Sequence, residues 1–185
     1  MTIGGLILAA GEGRRFGGTK QLAPLRGRPL LEHALEAMAG VSPRVVVLGH
    51  AADEILARVD LHGASPVVCA GWAEGQAASL RCGIAALGPV DAAVVTLGDQ
   101  PFMTPAVIEA ALDLAARGHD AVRATYDGAP GHPVVLGRRL LDRAGELEGD
   151  AGFRRLLEGV DVEGFEAGHL CDPSDIDTRE ELARR

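Results

Sequence analysis

The chain has 185 residues, with 18 lysines or arginines and 26 aspartates or glutamates, which gives a net charge of −8. This length suffices for a sizeable core, so we expect a single domain over residues 1–185. The acidic balance argues against a general nucleic-acid binder, whose surface is basic, and no apolar run approaches the roughly 20 residues of a membrane span.

The cysteines suggest where the protein works. Cys69, Cys82 and Cys171 are odd in number and widely spaced, which matches neither a zinc-binding pattern nor a disulfide framework. No secretory signal is visible, so we expect a cytoplasmic protein whose thiols stay reduced. Aromatic residues make up only 3% of the chain, so alanine, valine, leucine and isoleucine must build the core.

Apolar strands and helices alternate along the chain, beginning with a buried strand over residues 3–8. This order predicts an α/β fold, a three-layer Rossmann-like sandwich in which a mostly parallel sheet carries helices on both faces. Ligands of such sheets bind at the carboxyl ends of the strands. The further predicted strands are 44–48, 65–69, 92–97 and 120–125, and the predicted helices are 29–39, 51–59, 76–87 and 104–117, the last with Thr104 as its N-cap.

A glycine-rich loop with three cations follows the first strand. Glycine lets backbone N–H groups approach an anion, and fixed positive charges neutralise a polyphosphate. A Walker A loop does not fit, because Thr19 precedes Lys20 and Gln21 follows it. A dinucleotide fingerprint does not fit either, because Phe16 stands where the third glycine is needed. The residues expected around a polyphosphate are Gly11, Gly13, Gly17, Gly18, Arg14, Arg15 and Lys20.

From Leu8 to Lys20 the chain resembles the nucleotidyltransferases that carry the signature L-A-[AG]-G-x-x-x-R-[MF]-G-x-x-K. These enzymes join a nucleoside monophosphate from an NTP to a phosphorylated acceptor. The resemblance implies a single GT-A-like nucleotidyltransferase domain in which Arg15 and Lys20 are catalytic and hold the triphosphate. It assigns nucleotide binding to Leu8, Ala9, Ala10, Gly11, Gly13, Arg15 and Lys20.

A second segment, residues 71–83, follows a predicted strand and opens a predicted helix. Its pattern G-W-x-x-G-x-x-x-S-L-x-x-G is similar to a segment of the molybdenum cofactor cytidylyltransferases of the MobA-like, MocA-type family. The resemblance makes Gly75 and Ser79 nucleotide contacts and Trp72 a packing or lid residue. The alternative is that Gly75 merely begins the helix and Ser79 is a solvated helix residue.

Two carboxylates are candidates for binding Mg²⁺. Asp99 comes directly after the apolar strand 92–97, in a D-Q-P motif that matches the family, and the resemblance makes it a catalytic and nucleotide-binding residue as well. A carboxylate at the carboxyl end of a central strand is placed to bind Mg²⁺, although Asp-Gln-Pro is also good turn chemistry. The family segment D-[IV]-[DN]-T-x-x-[DE]-L makes Asp177, or else Asp175, the second ligand. The alternative is that Asp177 or Thr178 caps a helix.

Two further motifs resemble the border of the family's acceptor pocket. His132 lies in G-H-P-V and Asp150 in G-D-x-G. The resemblance makes both residues candidates for contacting the acceptor. A loop histidine that holds a turn and an N-cap aspartate are the alternative interpretations.

These parts predict a Mg²⁺-dependent attack of an acceptor phosphate oxygen on the α-phosphorus of an NTP, with pyrophosphate as leaving group. The spelling Ala9-Ala10-Gly11 is typical of relatives that use pyrimidine nucleotides, so we expect CTP. The resemblance implies molybdopterin as acceptor and a molybdoenzyme or maturation factor as recipient. Alternatives are GTP with molybdopterin, a phosphosugar or phosphopolyol acceptor, and a non-catalytic nucleotide-binding maturation helper.

Overall fold

The computed structural model describes residues 1–149 and 152–185, which fold around a sheet of seven strands in the order β5-β4-β1-β6-β8-β7-β9. Strands β5, β4, β1 and β6 run parallel to one another, and β9 runs parallel to β7. Strand β8 is antiparallel to both β6 and β7. The strands are β1 Ile3–Leu8, β2 Pro24–Leu25, β3 Arg28–Pro29, β4 Arg44–Leu48, β5 Ser65–Val68, β6 Ala92–Leu97, β7 Ala121–Tyr126, β8 Ala129–Gly137 and β9 Val162–Glu166.

Helices cover both faces of the sheet, and two core clusters result. Alternation along β1 sends Ile7 to one cluster and Leu6 and Leu8 to the other, as the period of two along a strand requires. The predicted three-layer α/β class is confirmed. The helices are α1 Leu30–Ala37, α2 Ala52–Arg58, α3 Gln76–Leu87, α4 Pro105–Ala115, α5 Arg138–Asp142, α6 Arg154–Leu157 and α7 Arg179–Ala183.

A small hairpin, β2–β3, stands between the glycine-rich loop and α1. Its two-residue turn is Arg26-Gly27, with φ of 51° and 82°. Positive φ at both central positions is the geometry of the turns that join short antiparallel strands. The hairpin explains why the first helix begins late, at Leu30.

The predicted strands and helices up to β7 match the observed ones within a few residues. The hairpin β2–β3, the antiparallel strand β8 and the strand β9 were not predicted. The N-cap prediction for Thr104 is half right. Thr104 holds the N-cap position of α4, but its side chain makes no capping bond. Its hydroxyl donates instead to the carbonyl of Leu170, at 2.9 Å.

The expectation that no cysteines pair is wrong, since Cys69 and Cys82 form a disulfide with their Cα atoms 5.9 Å apart. Their separation of 13 residues along the chain does not by itself predict a disulfide. The fold brings the end of β5 against α3 across the intervening loop, and only that approach places the sulfurs in reach. Cys171 remains a free thiol. In the described ranges, no helix combines the length and the apolar character needed to cross a membrane.

Candidate active site

The glycine-rich loop leaves β1 at the carboxyl edge of the sheet and is anchored from behind by Gln21. The side-chain amide of Gln21 donates to the carbonyl of Ala9, at 2.8 Å, and to that of Gly11, at 2.9 Å. Gln21 is only 3% exposed, so these bonds fix the start of the loop from inside the protein. Sequence reasoning missed this role; the available signal was a glutamine directly after the loop lysine.

Gly13 and Phe16 set the shape of the loop. Gly13 has a φ of +68°, and a Cβ atom on it would lie 2.6 Å from the carbonyl oxygen of Gly18. Only glycine allows the loop to fold back on itself this closely. Phe16 is buried and packs with Leu30 and Ile176, so this aromatic ring fastens the loop to the protein core.

Four charged residues, Arg15, Lys20, Asp99 and Asp177, meet in what we call the Lys20 cluster. The Nζ atom of Lys20 lies 2.6 Å from Oδ2 of Asp99 and 3.0 Å from Oδ1 of Asp177. Arg15 Nη2 lies 2.7 Å from the other oxygen of Asp177. Burial, the largest single effect, lowers the pKa of Lys20, but the combined attraction of the two carboxylates raises it above its ordinary value. Lys20 therefore stays charged at neutral pH.

Backbone contacts place Asp177 opposite Asp99. The N–H of Ile176 donates to the carbonyl of Asp99, at 3.0 Å. Thr178 is the N-cap of α7, and it forms a reciprocal capping box with Glu181. Glu181 also accepts a bond from the N–H of Asp177, at 2.7 Å. Because Thr178 does the capping, the carboxylate of Asp177 is free to join the Lys20 cluster.

Asp175 contacts Gln100 and is not part of the Lys20 cluster. Its Oδ1 atom accepts a bond from the Gln100 amide, at 2.8 Å. Burial, and after it the negative charge of Asp99, raises the pKa of Asp175. The geometry therefore joins Asp177, not Asp175, to Asp99 through one ammonium group.

The donor set can be tested for its fit to a divalent cation. Oδ1 of Asp99 is buried and has no hydrogen-bond partner within residues 1–149 and 152–185. An unpartnered carboxylate oxygen suits a hard cation that completes its shell with phosphate oxygens and water. The same residues contain no cluster of three or more acidic, histidine or cysteine ligands. The residues present fit a cation that is bound together with a nucleotide.

One cleft runs beneath the glycine-rich loop, and its two halves share Leu8, Gly11, Gly13 and Asp99. The Lys20 cluster lines the first half, which suits a polyphosphate. Arg14 also lines the cleft, but it is exposed and pairs with Glu12 at 2.7 Å. The predicted site residues brought together around this cleft are Leu8, Ala9, Ala10, Gly11, Gly13, Arg15, Lys20, Gly75, Ser79, Asp99 and Asp177.

The second half of the cleft is lined by Ala10, Gly75, Ser79 and Trp72. Ser79 is 5% exposed, so it is not the solvated helix residue of the alternative interpretation. A Cβ atom on Gly49 would lie 2.5 Å from Trp72, which shows how closely the indole packs on the turn after β4. Trp72 therefore has a packing role and forms a wall of the cleft.

A second cavity is lined by Gln100, which follows Asp99 in the chain, together with Arg123, Tyr126, His132 and Asp175. His132 thus lies apart from the Lys20 cluster. Burial, and to a smaller extent the charge of Arg123, lowers the pKa of His132 to about 4, so its ring is neutral. Asp150, the other predicted acceptor contact, lies outside the described residues.

Residues 5–166 match the MobA-like NTP transferase domain. Nicotine blue oxidoreductase of Paenarthrobacter nicotinovorans is 33% identical, over 97% of this chain and 94% of its own length. The crystal structure of Rv0371c from Mycobacterium tuberculosis has a TM-score of 0.88 and 31% identity, covering 100% of this chain and 96% of that one. Another structure of that protein is a complex with manganese, with a TM-score of 0.82 and 30% identity, covering 100% and 97%.

The fold and the comparisons define the class of protein. A nucleotidyl transferase from Methanothermobacter has a TM-score of 0.75 and 26% identity, and the match covers 99% of this chain and 95% of that one. The chain belongs to the MobA-like NTP transferase domain family and is a nucleotidyltransferase.

Proposed function

We propose that this chain joins CMP from CTP to molybdopterin, or to its molybdenum form, and releases pyrophosphate. The observation that carries the chemistry is the Lys20 cluster, where two cations and two carboxylates meet beside the glycine-rich loop. Family membership supports nucleotidyl transfer. The choice of CTP and molybdopterin rests on the motif resemblance.

In the proposed reaction, an oxygen of the acceptor phosphate forms a bond to the α-phosphorus of the NTP. The bond from that phosphorus to pyrophosphate breaks, and pyrophosphate keeps the electron pair. Arg15 and Lys20 hold the triphosphate and stabilise the charge that develops on the leaving group. Mg²⁺ held by Asp99 and Asp177 would polarise the phosphorus and screen the two anions from each other. No covalent enzyme intermediate is needed.

The preference for CTP depends on Ala10. Ala10 is 5% exposed and lines the second half of the cleft, which we propose holds the nucleoside and call the nucleoside half. Its methyl group narrows the space for a base, which favours a pyrimidine over a purine. Ala10→Gly should therefore raise kcat/KM for GTP relative to CTP, and an unchanged ratio would remove this reason for choosing CTP.

The proposed acceptor enters the second cavity, with His132 as a contact. We propose that the reaction takes place in the cytoplasm and that the product passes to a molybdoenzyme or to its maturation factor. No nucleic acid or membrane enters this proposal.

The experiment that tests the proposal is pyrophosphate release by the purified protein. CTP, GTP, ATP and UTP are supplied in turn with Mg²⁺ or Mn²⁺, with and without intact molybdopterin. Release with CTP only when molybdopterin is present is the expected result. Pyrophosphate release with GTP instead of CTP would make GTP the nucleotide substrate and leave the proposed mechanism unchanged. If no pyrophosphate is released with any of the four NTPs, molybdopterin is not the acceptor, and phosphosugars and phosphopolyols would be tested in its place.

A variant of Asp99 separates an enzyme from a nucleotide-binding helper. Trp72 is the only tryptophan of the chain and lines the nucleoside half of the cleft, so its fluorescence reports nucleotide binding. Asp99→Ala should abolish transfer while fluorescence still detects NTP binding. Asp113→Asn, an exposed change on α4, is the matched control. Binding without turnover in the unmodified protein would favour the helper.

Redox activity is a second candidate, favoured by the 33% identity to nicotine blue oxidoreductase. Against it stands Phe16, which occupies the place of the third glycine in a dinucleotide fingerprint. The test follows nicotine blue absorbance with NADH or NADPH. We expect no loss of nicotine blue absorbance. Rapid reduction of nicotine blue would instead establish redox activity as the function.

A further inference from the structure

The second cavity contains a cation, Arg123, for which the described residues supply no counter-ion. Arg123 lies on β7, and its Nε atom donates to the carbonyl of Gly131, at 3.3 Å. Across residues 1–149 and 152–185, no carboxylate forms an ion pair with Arg123. Arg15, in the neighbouring cleft, pairs with a carboxylate. Partial burial lowers the pKa of Arg123.

A partly desolvated guanidinium without an anion is energetically unfavourable. Asp175 lines the same cavity but bonds to Gln100 and forms no ion pair with Arg123. A bound anion would compensate the charge. Guanidinium is also the group that recognises phosphate with two parallel hydrogen bonds.

Two further polar atoms of residues that line this cavity have no partner in the described part of the chain. They are Oε1 of Gln100 and Nε2 of His132, and both are shielded from solvent. His132 is neutral, so it adds no competing positive charge. Buried polar groups usually find partners, and unpaired ones lining a cavity are typical of a binding site.

A β-bulge gives this cavity its shape. The pairing of β7 with β8 shifts register between Arg123 and Thr125. Tyr126 holds the bulge, because its hydroxyl donates to the carbonyl of His132 at 2.6 Å. A Cβ atom on Gly131 would lie 2.6 Å from the Tyr126 ring, so the strand closes on that ring only with glycine there. Bulges commonly redirect side chains next to active sites.

From these observations we propose that Arg123 binds a phosphate group of the acceptor, with the neutral His132 ring as a polar contact of that phosphate. The Gln100 amide oxygen can only accept a hydrogen bond, so it would contact a donor group elsewhere on the acceptor. The inference rests on the proposed function, since it assigns the second cavity to the acceptor of the transfer. It also makes Arg123 a determinant of acceptor specificity and not of NTP binding.

The first test uses inorganic phosphate and does not depend on the reaction. Phosphate is titrated into the whole protein while NMR follows the His132 ring, which reports on this cavity alone. We expect saturable shifts in the unmodified protein and in Arg139→Gln, an exposed control, and at least tenfold weaker binding in Arg123→Gln. No shift in the unmodified protein, or equal affinity in Arg123→Gln, would overturn the proposal.

The second test uses the holoprotein with Mg²⁺, CTP and molybdopterin. Arg123→Gln should raise KM for the acceptor at least tenfold and change KM for CTP less than twofold, and Arg123→Lys should lie between. Equal changes in both KM values would overturn the assignment. If no NTP supports turnover, the proposed function fails, and the phosphate titration still decides the role of Arg123. Thermal unfolding checks that each variant is folded. If Arg123→Gln does not fold, Arg123→Lys takes its place in both tests.

Discussion

The ammonium group of Lys20 joins the carboxylates of Asp99 and Asp177, at 2.6 and 3.0 Å. The two bonds span 79 and 157 residues of the chain. One side chain therefore links the glycine-rich loop, the end of β6 and the segment before α7. Lys20 is also the only lysine in the sequence.

The carboxylates should control the pKa of Lys20. Reductive methylation with labelled formaldehyde gives one lysine signal, whose titration by NMR should show a pKa above the ordinary value. In the double variant Asp99→Asn and Asp177→Asn, burial acts alone and the pKa should fall below the ordinary value. Because the pKa of Lys20 is raised in the folded protein, protonated Lys20 stabilises the fold. This stabilisation is complete below the pKa of Lys20 in the unfolded chain and is lost as pH rises through its pKa in the folded protein. An unchanged pKa in the double variant would contradict the cluster.

Asp177 and Asp175 should differ in their effects on catalysis. Asp177→Asn removes a carboxylate of the Lys20 cluster and should lower kcat by about 10²–10³, the usual loss for an electrostatic contact to the reacting groups. Asp175→Asn should cost much less in kcat, because Asp175 bonds to Gln100. Rates are compared at saturating NTP and metal. A larger loss in Asp175→Asn would reverse the assignment of the metal ligand.

Gly13 and Gly17 offer a matched pair of substitutions. Both have positive φ, of +68° and +73°, but only a Cβ atom on Gly13 meets a backbone atom, at 2.6 Å. Gly13→Ala should weaken NTP binding roughly tenfold or more, as expected when a binding loop is displaced. Gly17→Ala carries the same φ strain without the clash and should weaken binding less. Trp72 fluorescence measures both affinities, and equal losses would show that strain alone matters.

Reducing the Cys69–Cys82 disulfide should loosen the wall formed by Trp72 in the second half of the cleft. The bond closes the segment that carries Trp72, Gly75 and Ser79. For a loop of this length, chain entropy predicts a loss of about 3 kcal/mol in unfolding free energy. Dithiothreitol, or Cys69→Ala with Cys82→Ala, should lower Tm and weaken NTP binding. Cys171→Ala should leave the NTP affinity unchanged, and an unchanged Tm after reduction would contradict the disulfide.

His132 should make stability depend on pH in the acid range. Its pKa is lowered from 6.5 to about 4 in the folded protein. Between these values the unfolded chain binds the extra proton, so unfolding free energy falls with decreasing pH, by up to about 3 kcal/mol. Denaturant unfolding from pH 7 to 4 should show a shallower fall in His132→Gln. The comparison isolates His132 from Asp175, whose raised pKa acts in the opposite direction. Identical slopes would contradict a buried neutral ring.

Local sequence patterns were enough to predict the alternating elements, the glycine-rich loop after the first strand and the carboxylate at the end of β6. Apolar periodicity, glycine spacing and turn residues are local properties, so a single sequence displays them. Arg15, Lys20 and Asp99 could be named as candidates for the same reason. Their roles in catalysis stay predictions.

Only the tertiary structure decided which distant groups meet. Asp177 reaches Lys20 because Thr178 takes over the helix cap, and Asp175 faces Gln100. The disulfide follows from the approach of segments that are separated along the chain. The register shift in the pairing of β7 with β8, next to Arg123, was equally invisible in the sequence. Distances between such groups depend on how helices pack on the sheet, and the order of residues along the chain does not encode that packing in any local pattern.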